Sequence, residues 1–249
     1  MFIILIVLIL GFSFIFSMLG LGGALVYNPM MVWFGYPFKE VVLPTGLLLN
    51  GLTALSAAWV FYRNKLIDFS IGIPLTIAAS LGSPLGAYLS QFVPTNVLLW
   101  IFIGILLLSG GRMLLVSKAP EVEHIRGSHT QRMLIGVGVG FSVGTLAGLL
   151  GIGGGLFFVP VLLALGYPTK VVAATTTLAV TFSSFTGFAG HIAVGHFDWQ
   201  LLIFAGIAVV IGSQIGSRVM NTRMKPQLIK QLFGTVLLLV AVKMIWGLL

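Results

Sequence analysis

The sequence contains no cysteine and very little charge. The absence of cysteine from all 249 residues excludes disulfides, thiolate metal sites and cysteine nucleophiles. Charged residues make up only 7% of the chain, whereas soluble domains are about a quarter charged. The acidic residues all fall in loops or at the ends of apolar runs: Glu40, Asp68, Glu121, Glu123 and Asp198. This distribution argues against an intramembrane aspartyl protease and a carboxylate metal site, and we expect no cofactor.

The sequence is rich in apolar residues. They make up 58% of the chain, and the mean hydropathy is +1.13. Runs close to the ~20 residues that cross a bilayer predict an all-α polytopic membrane protein with no separate soluble domain. The net charge is +8, but the basic residues stand singly at the ends of apolar runs. They indicate membrane topology and lipid contact, so a nucleic-acid partner is not expected. The amino-terminal run, 1–18, is expected to be a retained membrane segment.

Apolar runs and helix breakers divide the chain into two similar halves. The predicted helices are 1–19, 22–35, 41–62, 69–91 and 96–116, then 133–150, 153–165, 170–193, 199–220 and 227–249. A polar linker, 117–132, separates a first membrane repeat, 1–116, from a second, 133–249. The segments 22–35 and 153–165 are too short to cross a bilayer of ~30 Å at about 1.5 Å per residue. Each half is therefore predicted to combine a glycine-broken helical hairpin with three long helices.

The two halves align with each other. Leu19–Lys39, "LGLGGALVYNPMMVWFGYPFK", matches Leu150–Lys170, "LGIGGGLFFVPVLLALGYPTK", without gaps. After a one-residue slip, Asp68 matches Asp198, "GSPLG" matches "GSQIG" and Gly104 matches Gly234. These matches are ordered and include an uncommon Gly-Tyr-Pro corner. The chain is therefore interpreted as an internal duplication.

The loop charges predict how the halves are oriented. If the first two segments of each half give no net crossing, as two spans or as a re-entrant hairpin, one face collects most basic residues. That face would hold Arg63, Lys65, Arg112, Lys118, Arg126, Arg132, Lys170, Arg218, Arg223, Lys225 and Lys230. Only Lys39 and Lys243 would lie opposite. By the positive-inside rule, the linker is predicted to be cytoplasmic, both termini outside and the halves inverted. Interrupted helices in inverted repeats are typical of secondary transporters.

The motifs also resemble a known family. The G-x-G-G(G)-x-x-x-x-P pattern, the following Gly-Tyr-Pro corner, "AATTTL" (Ala173–Leu178) and "GHFDW" (Gly195–Trp199) resemble the sulfite exporter TauE/SafE family of membrane permeases. The resemblance covers essentially the whole chain. It implies transport of a small sulfur-containing anion such as sulfite or an organosulfonate. The first half departs from the pattern, with "PTGL" where the second half has "TTTL".

The glycine breaks are the first candidate for an anion site. A helix that stops inside the membrane leaves unpaired backbone groups, which protein, water or ligand must satisfy. Short helices beginning near Gly22 and Gly23, and near Gly153 and Gly154, would direct their N–H groups at the protein centre. The alternative is that these glycines only let helices pack closely, as expected of the four-residue ladder formed by Gly136, Gly140, Gly144 and Gly148.

Hydroxyl and amide side chains complete the predicted substrate site. Thr175, Thr176 and Thr177, with Thr45 equivalent to Thr176, offer donors to an oxyanion, or else they bond carbonyls of their own helix. The amides of Asn28, Asn50 and Gln214 lie on apolar segments, where they need a polar partner, and at least one is expected to line the pathway. His191 is expected near the outer interface, away from any central proton relay.

These residues favour a transporter over an enzyme. Ser183 or Ser184 with His191 is the one combination that resembles a hydrolase, but two helical turns separate them by ~10 Å. We therefore expect a permease in the cytoplasmic membrane whose partners are a small anion and the bilayer. A passive anion channel on the same scaffold is the alternative, with a membrane-embedded enzyme third. The sequence also allows a homo-oligomer.

Overall fold

The computed structural model describes residues 2–18, 20–116, 128–192, 198–223 and 226–248. Within these ranges the chain forms ten α-helices and no strand, with a π-helical turn, Phe38–Val42, that leads into the third helix. The helices are α1 Phe2–Ser17, α2 Ala24–Trp33, α3 Leu43–Arg63, α4 Phe69–Ser90, α5 Thr95–Val116, α6 His129–Leu150, α7 Gly155–Ala164, α8 Thr169–His191, α9 Trp199–Arg223 and α10 Pro226–Leu248. The all-helical prediction is confirmed.

The helix lengths separate membrane spans from half-length pieces. In the described residues, six helices are long and apolar enough to cross a membrane: α3 with its π-helical turn, α4, α5, α6, α8 and α9. By contrast, α2 and α7 have 10 residues each. At about 1.5 Å per residue they cover roughly half of a bilayer core. The two segments that were predicted to be short are therefore the short helices of the structure.

The boundary between linker and second repeat differs from the prediction. Helix α6 begins at His129, so the last four residues of the predicted linker, 117–132, are helical. A capping box explains the early start, because the Ser128 hydroxyl accepts from the N–H of Gln131 while the Gln131 side chain accepts from the N–H of Ser128. An apolar run cannot reveal this polar first turn. Residues 117–127 lie outside the described residues, and the side chains of Arg223, Lys225 and Lys230 are likewise not described.

The helices of the two halves interlock. The first helix of each half packs on the fourth helix of the other, as α1 on α9 and α6 on α4. The third helix of each half also packs on the fourth helix of the other, as α3 on α9 and α8 on α4, and the pairs α3–α8 and α5–α10 join equivalent helices. Exchanging the two halves therefore leaves this packing pattern unchanged. Among the six candidate spans, α3 and α8 are the most buried, and they pack against each other between the halves.

The four-residue glycine ladder packs, as expected. A Cβ atom built on Gly140 would lie 2.7 Å from the carbonyl oxygen of Leu75, and one on Gly148 would lie 1.9 Å from that of Ser83. These glycines hold α6 against α4 at backbone contact distance. In the symmetry-equivalent helix pair, a Cβ on Gly216 of α9 would meet the carbonyl oxygen of Phe14, which places α9 equally close to α1.

The sequence in which residues of α3 meet residues of α8 gives the relative directions of these two helices. Leu47 lies against Gly187, and Asn50 bonds Ser184, so residue numbers rise in α3 while they fall in α8. In the peripheral pair, Gly110 faces Leu238 and Leu114 faces Gly234, with the same opposite order. Equivalent helices therefore run antiparallel in both pairs.

The remaining contacts place the other helices in the same scheme. Ile71 meets Gly136 and Ala79 meets Gly144, so α4 and α6 are parallel, and Gly72 against Thr175 with Ser83 against Gly187 makes α4 parallel to α8. Corresponding contacts of α9 with α1 and with α3 show that α1, α3 and α9 share the opposite direction. Because α1 and α3 are parallel, the segment that contains α2 returns the chain to the side on which α1 begins.

These directions gather the basic side chains on one side of the molecule. The carboxyl ends of α3 and α9 lie beside the amino ends of α4, α6 and α8. This side carries Arg63, Lys65, Arg132, Lys170 and Arg218, and we call it the basic face. Helix α5 follows α4 after a short turn and so ends on the same side, with Arg112 in its last turns.

Candidate functional site

The two glycine breaks meet at the centre of the molecule. Gly22 precedes α2 with φ +72°, and Gly153 precedes α7 with φ +70°. A Cβ atom at either position would lie 2.0 Å from the side-chain amide of Asn50. Positive φ and the approach of Asn50 both require glycine there. The structure thus brings together the predicted residues Gly22, Gly153 and Asn50.

Asn50 caps the amino end of α2. Its Oδ1 accepts from the backbone N–H groups of Gly23 at 2.7 Å and of Ala24 at 2.9 Å, while its Nδ2 donates to the Ser184 hydroxyl at 2.9 Å. Asn50 and Ser184 are both fully buried. In this structure an amide oxygen of the protein accepts from the N–H groups at the start of α2, so an anion predicted there would have to replace Asn50.

The amino end of α7 has no such cap. Its N-cap residue, Gly154, has φ +78°. The side-chain hydrogen bonds of the described residues include none from the N–H groups of Gly154, Gly155 or Leu156, and the backbone of Leu21 packs against Gly155. The residue equivalent to Asn50 is Thr181, whose hydroxyl donates to the Thr177 carbonyl of its own helix. The two halves therefore differ in the residue that decides whether the helix end is closed.

Asn28 provides a hydrogen-bond donor for the carboxyl end of α6, where the helix stops inside the protein. Its Nδ2 donates to the carbonyl oxygens of Gly151 at 2.9 Å and Leu150 at 3.4 Å, where α6 ends. Its Oδ1 is buried and finds no hydrogen-bond donor in the described part of the chain. Asn28 and Asn50 thus supply backbone partners where the chain leaves its helices inside the protein.

The threonines bond mostly within the protein. Thr176 and Thr177 donate to carbonyls of α8 itself, which is the alternative that the sequence left open. Thr175 accepts from the N–H of Asp68 at 3.0 Å and so joins α8 to the start of α4. Thr45 is fully buried, and its hydroxyl has no partner among the described residues. Of the four predicted hydroxyls, only that of Thr45 has no hydrogen-bond partner among the described residues.

Gln214 lies apart from the glycine breaks. Its Nε2 donates to the Ser56 carbonyl at 3.0 Å and to the Ser56 hydroxyl at 2.9 Å, and its side chain is half-buried between α9 and α3. Gln214 therefore does not join the cluster around Asn50. Sequence alone could not separate it from Asn50, because both are amides on apolar helices.

Three further residues at the centre were not predicted as site residues: Ser184, Tyr27 and Thr53. Ser184 accepts from Asn50, and its considered partnership with His191 does not form: His191 is buried, with Nε2 3.1 Å from the Gly148 carbonyl of α6. Because a carbonyl only accepts, that ring nitrogen carries the hydrogen. Tyr27 is fully buried, with its hydroxyl 3.3 Å from that of Thr53. Thr53 is equivalent to Ser184 in the duplication, which is the signal that could have found both.

Comparisons with known proteins agree with this architecture. Residues 3–244 match the family model described as sulfite exporter TauE/SafE. A Bacillus subtilis protein named probable membrane transporter protein YunE is 29% identical over 98% of this chain and 97% of its own length. A second Bacillus subtilis protein, probable membrane transporter protein YdhB, is 29% identical over 94% of this chain and 96% of its own.

More distant relatives extend the comparison to plants. Sulfite exporter TauE/SafE family protein 6 of Arabidopsis thaliana is 28% identical over 61% of this chain and 39% of its own length. No solved structure matches. The Bacillus relatives are named as transporters rather than enzymes, and the apolar helices are those of an integral membrane protein. The family match spans nearly the whole chain, which therefore belongs to the sulfite exporter TauE/SafE family of membrane transporters.

Proposed function

We propose that this protein is a secondary transporter that moves a small sulfur-containing anion, such as sulfite or an organosulfonate, across the cytoplasmic membrane. The observation that carries the proposal is the amino end of α7 at the buried centre, where no described side chain takes the place that Asn50 has at the equivalent end of α2. Uncapped N–H groups and the positive end of a helix dipole favour an anion. The family description and the printed names of the plant relatives indicate sulfite as the class of substrate.

The proposed binding site combines residues of both halves. The N–H groups of Gly154, Gly155 and Leu156 would hold the anion's oxygens. The Ser184 hydroxyl, which accepts from Asn50, keeps its own hydrogen for a further acceptor. The same hydroxyl position in the first half is Thr53, which donates to the Leu49 carbonyl. The anion is therefore expected nearer to α7 and α8 than to α2.

The proposed scaffold is a pair of inverted repeats. The antiparallel pairs α3–α8 and α5–α10, and the opposite directions of α1 and α6, support this arrangement. Under the positive-inside rule the basic face is cytoplasmic and both termini lie outside. A substrate site between inverted repeats, at a helix break near the middle of the membrane, is the arrangement on which alternating access operates.

Transport against a gradient tests the proposal. The purified protein in proteoliposomes should concentrate radiolabelled sulfite or sulfoacetate above its external level when an ion gradient is applied. Dissipation of a substrate gradient without concentration would instead indicate a passive anion channel. Movement of neither anion, with the protein folded and correctly inserted, would overturn the assignment of substrate class. Empty liposomes and the Gly154→Leu variant serve as controls.

A further inference from the structure

A cavity of about 740 Å³ lies between α5 and the hairpin formed by α6 and α7. Its volume is in the range of small-molecule sites, which is about 300–1,000 Å³. Leu21 of the first glycine break and Leu156 in the first turn of α7 are among the residues that line it. Arg112 lines the cavity in the last turns of α5, toward the basic face. The lining therefore extends from the first turn of α7 to the last turns of α5, near the basic face.

The polar lining of this cavity has no counterpart at the position that the duplication makes equivalent. Arg112 is the one charged side chain among the described residues that line it, and Ser109 lies one turn before it on α5. Ser142 of α6 adds a second hydroxyl to the lining. In the duplication the equivalents of these three polar residues are apolar: Val242 for Arg112, Leu239 for Ser109 and Gly11 for Ser142. The lining is mainly aliphatic and aromatic apart from these residues, which suits an anion with a short hydrocarbon part.

The symmetry-equivalent place, between α10 and α2, is bridged by a side-chain contact. There the ammonium of Lys243 on α10 lies 4.2 Å from the ring centroid of Trp33 on α2, a cation–π distance. The equivalents of Lys243 and Trp33 are Met113 and Ala164, and both line the cavity. A side-chain contact therefore joins α10 to α2, whereas the equivalent helices α5 and α7 are separated by the cavity.

We propose that the cavity is the access route of the anion from the basic face, and that the Lys243–Trp33 contact closes the equivalent route on the opposite face. The structure is then the state open to the basic face. Arg112 binds the incoming anion, and breaking the Lys243–Trp33 contact favours the state open to the other side. This inference rests on the proposed function, since it assigns the two routes to one transported anion.

Cysteine reactivity tests the proposal in the full-length protein, which contains no native cysteine. Ser142→Cys places a thiol in the cavity, and Gly11→Cys places one at the equivalent position of α1, where a new Cβ meets no atom within 4 Å. An impermeant maleimide should react faster with Ser142→Cys, and only from the basic face. Sulfoacetate should slow that reaction, and Arg112→Gln should raise the sulfoacetate concentration needed by about tenfold. Sulfoacetate is used because sulfite itself adds to maleimides.

Loss of the closing contact should exchange the two reactivities. Trp33→Ala and Lys243→Gln should each slow labelling of Ser142→Cys and speed labelling of Gly11→Cys from the opposite side. The ratio should change by about fivefold, in keeping with loss of one cation–π contact. Trp59→Ala is the matched control, because Trp59 is exposed and its contact with Arg63 lies on a single helix. It should change neither rate.

The outcomes separate this inference from the proposed function. Equal acceleration at both cysteines in Trp33→Ala would mean loosened packing and would overturn the closure. Reaction of Ser142→Cys in detergent but not in membranes would mean that a lipid chain fills the cavity, which would overturn the access route. If the rates exchange as expected while no sulfur anion is concentrated in proteoliposomes, the two-sided access stands and the substrate assignment falls.

Discussion

Removing the Asn50 side chain should destabilise the protein more than any other single truncation at its centre. Asn50→Ala takes the acceptor from the N–H groups of Gly23 and Ala24, which lie 2.7 and 2.9 Å from Oδ1. It also removes the donor to the Ser184 hydroxyl. A buried donor left without a partner costs about 1–3 kcal/mol. Two such donors predict a loss of at least about 2 kcal/mol in the free energy of unfolding.

The expected change can be measured as an apparent melting temperature in detergent. For a chain of this size, about 2 kcal/mol corresponds to a decrease of roughly 4–8 °C. The matched control is Thr181→Ala, since Thr181 is equivalent to Asn50 but its hydroxyl bonds only the Thr177 carbonyl of its own helix. That variant should lose no more than about 1 kcal/mol. A melting temperature of Asn50→Ala equal to that of Thr181→Ala would refute the capping role.

A third variant separates the cap from the charge at the centre. Asn50→Asp keeps an oxygen for the N–H groups of α2, where a carboxylate at a helix amino end is favourable. It should therefore recover most of the stability that Asn50→Ala loses. The same negative charge lies beside the proposed anion site, so stabilisation by added sulfite should decrease. Full stabilisation by sulfite in Asn50→Asp would place the anion away from Asn50.

Three further predictions follow from the site and the topology. Gly154→Leu forces a side chain into φ +78° beside Phe158 and should abolish the rise in melting temperature with added sulfite. Gly140→Ala puts a methyl group too close to α4, so it should lower the melting temperature without sulfite but keep the rise that sulfite causes. His191→Gln should retain transport, because an amide can still donate to the Gly148 carbonyl; complete loss of pH-dependent flux with substrate binding intact would contradict this. Ser128→Cys, at the start of α6, should react with impermeant maleimide from the cytoplasmic side alone, and labelling of intact cells from outside would contradict the inverted topology.

The sequence was sufficient for the helices because their signals are local. Apolar run length and glycine clusters located α2 and α7, whose lengths follow from breaks at positions such as Gly22 and Gly153. The start of α6 was misplaced because Ser128 and Gln131 build a polar first turn. A capping box is itself a local pattern, so attention to Ser128 would have corrected that boundary.

The partners of the buried amides could not be predicted in the same way. Asn50, Asn28 and Gln214 look alike in sequence, and only the packing of helices decides what each one meets. Asn50 lies opposite the N–H groups of α2, Asn28 opposite the carbonyls that end α6, and Gln214 opposite Ser56. An amide both donates and accepts, so its residue type does not specify which broken helix end it serves.

The asymmetry of the two halves bears on where an anion can be held. A duplicated chain begins with two equivalent helix ends, and both would attract an anion if neither were capped. Asn50 closes one of them, while Thr181 at the equivalent position is too short and bonds its own helix. The polar lining residue Arg112 likewise belongs to the route that reaches the uncapped end. Both differences lead us to expect that the protein binds one anion, at α7, and not one anion in each repeat.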